Sequence, residues 1–359
     1  MVKKLKFFLF VTSTLLSQDK YIHAGKVYES NTGKYLSNKT IIISDNIISS
    51  IEDGFIEPKN QNIELYDLKT KVIIPGLIDF HVHMESESGG KEKYINRFQD
   101  SKVDVAFKST VVAKKTLLAG FTTVRDVGGS GVNIALRNAI NRGLVVGPRI
   151  FTSGKTIATT GGHGDPTNGY RQDLFDDPGP QDGVVNSISD ARKAVRYRYK
   201  NGADLIKITA TGGVMSMAKN GQNPQFTEEV MKAIVSTAND YGMHVAAHAH
   251  GDEGMFRAVK AGVKTIEHGS IMKERTMKLM KEKNAYLVPT ISAGEHVVKM
   301  ASIPGYYPEI IIPKALEVGV QNKASTKKAY EMGVPISFGT DAGVFPHGDN
   351  AGEFVYWDE

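Results

Sequence analysis

Metal-binding residue types follow apolar, strand-like segments at several points of this sequence of 359 residues. His81 and His83 are one residue apart in IIPGLIDFHVHMES, so in a strand both imidazoles would point to the same side. Imidazole and carboxylate groups are good ligands for Zn²⁺ and related divalent ions. The other candidate ligands at or inside such segments are Lys207, His248, His268 and Asp341.

Lys207 is the candidate that distinguishes a site with two metal ions from a site with one. It lies inside the apolar segment DLIKITA, where a buried ammonium group is costly unless it snorkels or forms an ion pair. Two metal ions about 3.5–4 Å apart need a bridging anion. A buried amine with a lowered pKa is the kind that reacts with CO₂, and the resulting lysine carbamate is a carboxylate on a long stem. Lys207 therefore favours two metal ions with a carbamate between them.

The elements that would position these residues alternate after Lys71. Apolar, strand-like segments are separated by amphipathic, helix-like segments, several of which end in glycine. Eight such strands favour a (β/α)₈ TIM-like barrel, with an open doubly wound sheet as the alternative. The predicted strands are VIIPGLIDFHVH, FTTVRDVG, PRIFTSG, DLIKITA, MHVAAHAH, KTIEHGS, AYLVPTIS and VPISFGTD. The predicted helices include DEGMFRAVKAG, KERTMKLMKEKN and one long helix, IIIPKALEVGVQNKASTKKAYEMG.

The barrel interpretation brings the six candidate ligands together. Active sites of barrels lie at the carboxyl ends of the strands. A lone histidine there is often a structural residue, and Asp341 before AGVF could instead be a helix N-cap. Because the six residues come from five different strands, their common position argues for one metal centre.

The segment before the barrel has a different pattern. Residues 1–18 begin with lysines and continue into an apolar run of about ten residues, which is typical of a signal peptide and predicts a periplasmic or secreted protein. The alternative is a first strand, KFFLFVTSTLL. Residues 19–74 show short strands and turns, which predict part of a small β-sandwich with an antiparallel sheet. Residues 75–359 would form the barrel. The C-terminal part of the barrel and the C-terminal part of the β domain are expected to be missing from this sequence.

Composition excludes some kinds of partner and site. The net charge is +5 but the basic residues are scattered, which does not indicate a nucleic-acid surface. The sequence has no cysteine, so any metal must bind to other side chains. No later segment reaches the roughly 18 apolar residues of a spanning helix, so no stable membrane span is expected.

The combined motifs resemble the amidohydrolase superfamily, in particular its imidazolonepropionase-like branch, which includes binuclear-zinc Xaa-Pro dipeptidases. The matching segments are PGLIDFHVH, ATTGGHGDPTNG, LIKITATGG, HVAAHAHG, TIEHGS and SFGTDAG. The resemblance implies that His81, His83 and Asp341 bind the more buried of two zinc ions. It further implies that His248 and His268 bind the second ion and that Lys207, carbamylated by CO₂, bridges the two.

The same resemblance implies a reaction. A hydroxide that bridges the metal ions would attack the amide bond of a dipeptide or an N-acyl amino acid, with Asp341 carrying the proton and His163 contacting the scissile carbonyl. His250, Arg171 and Lys219 are the candidates for substrate binding besides His163. The chain is compatible with a homo-oligomer. Two alternatives stay open, namely a one-metal hydrolase of cyclic amides or deaminase, and a binding module without activity.

Overall fold

The computed structural model describes residues 19–87, 90 and 92–358. The predicted signal peptide, residues 1–18, and its alternative as a first strand lie outside the described residues, so export stays a prediction. The chain divides into two units, of which the first ends at Gly76 and the second begins at Leu77. Within the described residues, no helix combines the length and the apolar character that a bilayer crossing requires.

The first unit contains one four-stranded sheet with the order β3-β2-β1-β4. Its strands are β1 (Lys20–Glu29), β2 (Lys34–Ser44), β3 (Ile47–Asp53) and β4 (Glu64–Ile73). Asp45 and Asn46 both have positive φ, which suits the tight turn between β2 and β3. β1 and β2 pair antiparallel, as do β2 and β3, but β4 pairs parallel to β1. The expectation of a wholly antiparallel sheet was wrong, because the chain crosses over two strands before β4 and returns in the direction of β1.

The second unit is an α/β structure with parallel sheets, as the alternating sequence pattern predicts. One sheet has the order β5-β6-β7 and the other has the order β8-β9-β10-β11. Every strand pair in both sheets is parallel. The strands are β5 (Leu77–Val82), β6 (Phe121–Asp126), β7 (Arg149–Thr152), β8 (Ile206–Thr209), β9 (Val245–Gly251), β10 (Thr265–Ile271) and β11 (Tyr286–Val288).

Helices connect the parallel strands. α2 begins after Ser101, where Ser101 and Asp104 form a reciprocal capping box. α6 ends at Gly262, whose positive φ of 99° suits a C-cap. The helices are α1 (Glu92–Gln99), α2 (Lys102–Leu118), α3 (Val132–Asn141), α4 (Ile188–Lys200), α5 (Glu228–Asp240), α6 (Asp252–Ala261), α7 (Glu274–Lys283), α8 (Ile291–Ala301), α9 (Ile312–Val318), α10 (Asn322–Glu331) and α11 (Glu353–Asp358).

Two sequence predictions for the last third of the barrel region were wrong. The predicted long helix is broken into α9, a short 3₁₀ turn and α10, and α8 was not predicted at all. The predicted strand VPISFGTD is not a regular strand in the described structure. Its backbone instead forms hydrogen bonds with both β11 and β5. The N–H of Ser337 donates to the carbonyl of Leu287 at 2.9 Å, and the N–H of Asp341 donates to the carbonyl of His81 at 2.7 Å.

The core of the second unit lies around β8, β9 and β10. β8 and β9 are buried at every position, which is usual for parallel strands that are covered on both faces. Single parallel bridges continue the sheets beyond their named strands. Ile157 pairs with Ile208, Leu287 with Ile336, and Val82 with Ala342.

Candidate active site

A cavity of about 1090 Å³ opens where β5, β8, β9 and β10 end. The structure brings eight of the ten candidate site residues into the lining of this cavity. These residues are His81, His83, His163, Lys207, His248, His250, His268 and Asp341. Arg171 and Lys219, two of the candidates for substrate binding, do not line it. Lys219 is exposed, and the exposed Arg171 forms an ion pair of 2.5 Å with Asp173.

His81, His83 and Asp341 form a compact group of metal-capable side chains. One ligand atom from each lies within 4.8 Å of the others. Oδ1 of Asp341 is 3.5 Å from Nε2 of His81 and 3.3 Å from Nε2 of His83. The same Oδ1 is buried and has no hydrogen-bond partner of good geometry. A buried carboxylate oxygen facing two imidazole nitrogens fits a divalent metal ion such as Zn²⁺.

The other ring nitrogens of these two histidines are already occupied. Nδ1 of His81 lies 2.8 Å from Oε2 of Glu267, and Nδ1 of His83 lies 2.7 Å from the carbonyl oxygen of Gly128. Because a carboxylate and a carbonyl only accept hydrogen bonds, both Nδ1 atoms carry the proton. The lone pair of each Nε2 is therefore left for a metal ion.

A second group of imidazoles surrounds His248. The ring centroid of His248 lies 4.3 Å from that of His163, 4.6 Å from that of His250 and 4.7 Å from that of His268. His81 and His268 are 5.0 Å apart between ring centroids, so this group adjoins the first one. His248 and His250 alternate along β9 and therefore point to the same side.

Hydrogen bonds also orient the rings of the second group. The N–H at Nε2 of His248 donates a hydrogen bond to the carbonyl of Gly212 at 3.1 Å. The lone pair of Nδ1 is therefore the one that His248 can offer to a metal ion. Nδ1 of His268 is 2.7 Å from Oγ1 of Thr290. His268 and Thr290 both have positive φ, 72° and 52°, which is uncommon for residues other than glycine. Such strained positions cluster at functional sites.

Burial sets the charge of the imidazoles. It lowers the pKa of His81 to about 4, assisted by the charge of Lys207, and it lowers the pKa of His250 to about 4. The pKa values of His248 and His268 fall well below the usual value for the same reason. These rings are therefore neutral at pH 7, which is the form in which histidine binds metal.

His83 and Asp341 shift in the directions of an ion pair. Burial acts to lower the pKa of His83, but the adjacent carboxylate of Asp341 outweighs it and raises that pKa. Burial acts to raise the pKa of Asp341, but His81, His83 and Lys207 hold it below its usual range. Asp341 is therefore ionised and faces both imidazoles.

Lys207 is buried in β8 and lines the same cavity. Burial lowers the pKa of its amine to about 8, against the opposing charges of Glu267 and Asp341. Near neutral pH its amine is therefore deprotonated far more often than that of an exposed lysine. A neutral amine is the form that reacts with CO₂.

Glu267 and Arg125 were not predicted as site residues. Glu267 is fully buried in β10, and its Oε1 lies 2.7 Å from Nη2 of Arg125. Burial acts to raise the pKa of Glu267, but Arg125 and His81 hold it well below its ordinary value. A signal was present in the sequence, since a glutamate within the apolar segment TIEHGS must have a buried partner.

Asp79 fixes the two chain segments that carry the first metal-capable group. Its Oδ1 accepts from the backbone N–H of His81 at 3.0 Å and from that of Thr340 at 3.1 Å. Its Oδ2 accepts from Thr340 Oγ1 at 2.6 Å and from Asn350 Nδ2 at 2.8 Å. One buried carboxylate thus joins the end of β5 to the residue before Asp341.

His163 lies on the loop between β7 and β8 and is half-buried. Its backbone N–H donates to Oε1 of Gln225 at 2.8 Å. The ring packs directly on Gly213, where a Cβ atom would lie only 2.3 Å from Cε1 of His163. Glycine at position 213 thus allows His163 to reach its place beside His248.

A parallel α/β fold with clustered histidines, a lysine and a carboxylate in one cavity is typical of a hydrolase that uses metal ions. Comparison with known families shows to which family the chain belongs. The model of the Amidohydrolase family matches residues 72–356. The chain belongs to the amidohydrolase family, and the family resemblance drawn from the motifs is confirmed.

Three known proteins are similar to the chain. The crystal structure of a Xaa-Pro dipeptidase with methionine bound in its active site has a TM-score of 0.91 and 52% identity, and the match covers 94% of this chain and 83% of that one. A prolidase in complex with N-methylphosphonate-L-proline has a TM-score of 0.84 and 31% identity, over 94% of this chain and 82% of that one. The ochratoxinase of Aspergillus niger is 31% identical over 364 residues, which cover 97% of this chain and 74% of the ochratoxinase.

Proposed function

We propose that the chain is a binuclear metal-dependent amidohydrolase that cleaves the amide bond of a Xaa-Pro-type dipeptide or of an N-acyl amino acid. One observation carries the proposal. Five candidate metal ligands and a buried lysine, which come from five separate segments of the chain, line a single cavity. The names of the similar dipeptidase and prolidase support the choice of substrate class.

The residues present fit two divalent metal ions, which we propose to be Zn²⁺. His81, His83 and Asp341 would hold one ion, and His248 and His268 would hold the other. Lys207, as a carbamate formed with CO₂, would supply the bridging carboxylate. When bound, the metal ions would supply Lewis acidity, which lowers the pKa of a water molecule and polarises a carbonyl group.

The chain's own side chains would move the proton and orient the substrate. Asp341 is ionised and buried at the cavity, so it can take a proton from the attacking water and return it to the leaving amine. His163 adjoins His248 and would hydrogen-bond the scissile carbonyl oxygen as negative charge develops on it. His250, buried beside His268, would contact the substrate from β9.

We further propose that the second unit closes into a (β/α)₈ barrel, which is the scaffold of the candidate active site. The bridge between Ile157 and Ile208 supports a junction of the two sheets on one side. On the other side, the segment that contains Ile336 and Asp341 bonds to both β11 and β5. Closure in this way would place the carboxyl ends of all the strands around the cavity.

The test is a hydrolysis screen on zinc-loaded protein with bicarbonate present. The substrates are dipeptides, including Xaa-Pro members, and N-acyl amino acids, and the readout is released amino acid. We expect the wild type to hydrolyse members of this set. Asp341→Asn should lose about 10²–10⁴-fold in turnover while zinc stays bound, because the proton acceptor is removed. Asp349→Asn, a change at a nearby exposed aspartate, is the control and should keep its activity. Full activity in Asp341→Asn would contradict the proposal.

A further inference from the structure

Lys314 is a buried lysine that no step of the proposed reaction uses. It lies on α9 with 4% of its surface exposed. Its Nζ donates to three backbone carbonyls, those of Gly213 at 3.3 Å, Ser216 at 2.5 Å and Ala218 at 2.8 Å. An ammonium group has three donors, so all of them are used within one loop. Burial lowers the pKa of Lys314 to about 8, and no described carboxylate offsets this effect.

The loop that Lys314 holds, residues 213–218, forms part of the cavity lining. Val214 on this loop belongs to one hydrophobic cluster with Val297 of α8 and Val318 of α9. We name this side of the cavity the apolar wall. Its apolar side chains are Val214, Met215, Met217, Val297, Ala315 and Val318.

The 213–218 loop also adjoins the imidazoles of the candidate active site. Gly213 lies under the ring of His163, and the carbonyl of the preceding residue, Gly212, accepts from His248. The apolar wall therefore begins directly beside the residues that would hold the second metal ion and the scissile carbonyl. A substrate whose carbonyl meets His163 would have a neighbouring side chain within reach of this wall.

We propose that the 213–218 loop, held in place by Lys314, forms a subsite for an apolar side chain of the amide substrate. Lys314 is then a positioning residue for substrate selection, acting through the loop. The inference rests on the proposed function, which it deepens by naming the substrate class. Burial of each methylene group in such a subsite should raise kcat/KM about fourfold.

The anchoring part is tested without a substrate, by hydrogen–deuterium exchange. Lys314→Met keeps the aliphatic stem and removes the three donors. The matched control is Lys327→Met, which changes an exposed lysine on α10. We expect faster exchange in peptides that cover residues 213–218 in Lys314→Met alone, with the core strands unchanged. Equal exchange in both variants would overturn the anchoring role.

The selection part is tested with N-acyl amino acids or dipeptides that differ only in the apolar side chain, from alanine to leucine and methionine. The wild type should prefer the larger side chains by tenfold or more in kcat/KM, mainly through KM. In Lys314→Met this preference should fall to within about threefold, with most of the loss appearing as a higher KM for the larger substrates. Met217→Ala shortens a side chain of the apolar wall and should also reduce the preference for larger side chains. It replaces Lys314→Met in this test if Lys314→Met fails to fold.

Two failures can be told apart. A wild-type protein that hydrolyses no member of the series overturns the proposed function. A wild type that hydrolyses all members without preference, or a Lys314→Met variant that keeps the full preference, overturns the apolar subsite alone.

Discussion

Glu267 holds His81 by a hydrogen bond of 2.8 Å between Oε2 and Nδ1. Its other oxygen accepts from Arg125 at 2.7 Å, so the carboxylate cannot turn away from the ring. The contact fixes the proton on Nδ1 and directs Nε2 towards Asp341. Carboxylates that hold a metal-binding histidine in this way also raise its basicity as a ligand.

Glu267→Gln should therefore weaken zinc binding about 10–100-fold, because the amide holds His81 less firmly and cannot enhance its basicity. The measurement is the zinc dissociation constant, obtained by competition with a chromophoric chelator. Glu282→Gln, at a glutamate on the surface of α7, is the control and should bind zinc like the wild type. Thermal unfolding of both variants without metal checks that they are folded. Unchanged zinc affinity in folded Glu267→Gln would show that the contact has no part in metal binding.

Lys207 should take up CO₂ with a pH dependence set by its lowered pKa of about 8. Raising the pH from 7 to 9 takes the amine from about one tenth to about nine tenths neutral, and only the neutral form reacts. Carbon-13 NMR of zinc-loaded protein, at constant dissolved ¹³CO₂, should show a carbamate signal that grows over this interval. The signal should be absent from Lys207→Met. A signal that persists in Lys207→Met, or that declines as the pH rises, would contradict the assignment.

His347 should make the fold sensitive to acid. It is buried between Thr116 and the carbonyl of His83, and burial lowers its pKa to about 4. The unfolded chain has a histidine pKa of about 6.5 and so binds more protons than the folded chain between these values. The stability that depends on neutral His347 is complete above pH 6.5 and is lost as the pH falls towards 4.

The difference in unfolding free energy between the wild type and His347→Gln isolates this effect. It should shrink by about 2 kcal/mol between pH 8 and pH 5 in urea titrations of metal-free protein. A difference that stays constant over this range would mean that His347 titrates alike in the folded and the unfolded chain.

Gly213→Ala should displace His163 without removing the metal ions. An added Cβ would lie 2.3–2.5 Å from three ring atoms of His163. A shift of about 1 Å in a positioning group can cost about 10²-fold in rate, so kcat/KM should fall by about that factor. Gly221→Ala is a matched control in the same connection, since its Cβ would have no atom closer than 3.6 Å. Equal rates in the two variants would exclude a role of His163 at the carbonyl.

The sequence predicts the alternation of strands and helices and eight of the side chains that line the cavity. The common position of these side chains has a simple reason. His81, His248 and His268 stand at or near the ends of apolar segments, and the carboxyl ends of parallel strands converge in α/β folds. The His248 and His250 pair also follows the period of a strand, so the shared direction of the two rings is visible in the sequence.

Long-range polar pairs could not be found in this way. Arg125 and Glu267 are separated by 142 residues, and only the folded chain places them together. Lys314 has no feature in the sequence that distinguishes it from other lysines on helices, because its three carbonyl partners lie about 100 residues earlier in the chain. α8 was missed because Ile291–Ala301 follows the apolar segment of β11 without a conventional cap. Its N-cap residue, Thr290, has a left-handed backbone, and its hydroxyl contacts His268 instead of capping the helix.

The number of zinc ions bound per chain distinguishes a binuclear site from a site with one metal ion. Purified protein is loaded with zinc in the presence of bicarbonate, passed through a desalting column and analysed by inductively coupled plasma mass spectrometry. We expect two zinc ions per wild-type chain and at most one in Lys207→Met, because the bridging carbamate is lost. One zinc ion in the wild type would contradict the binuclear site and favour a one-metal hydrolase of cyclic amides or a deaminase. No bound zinc would favour a binding module.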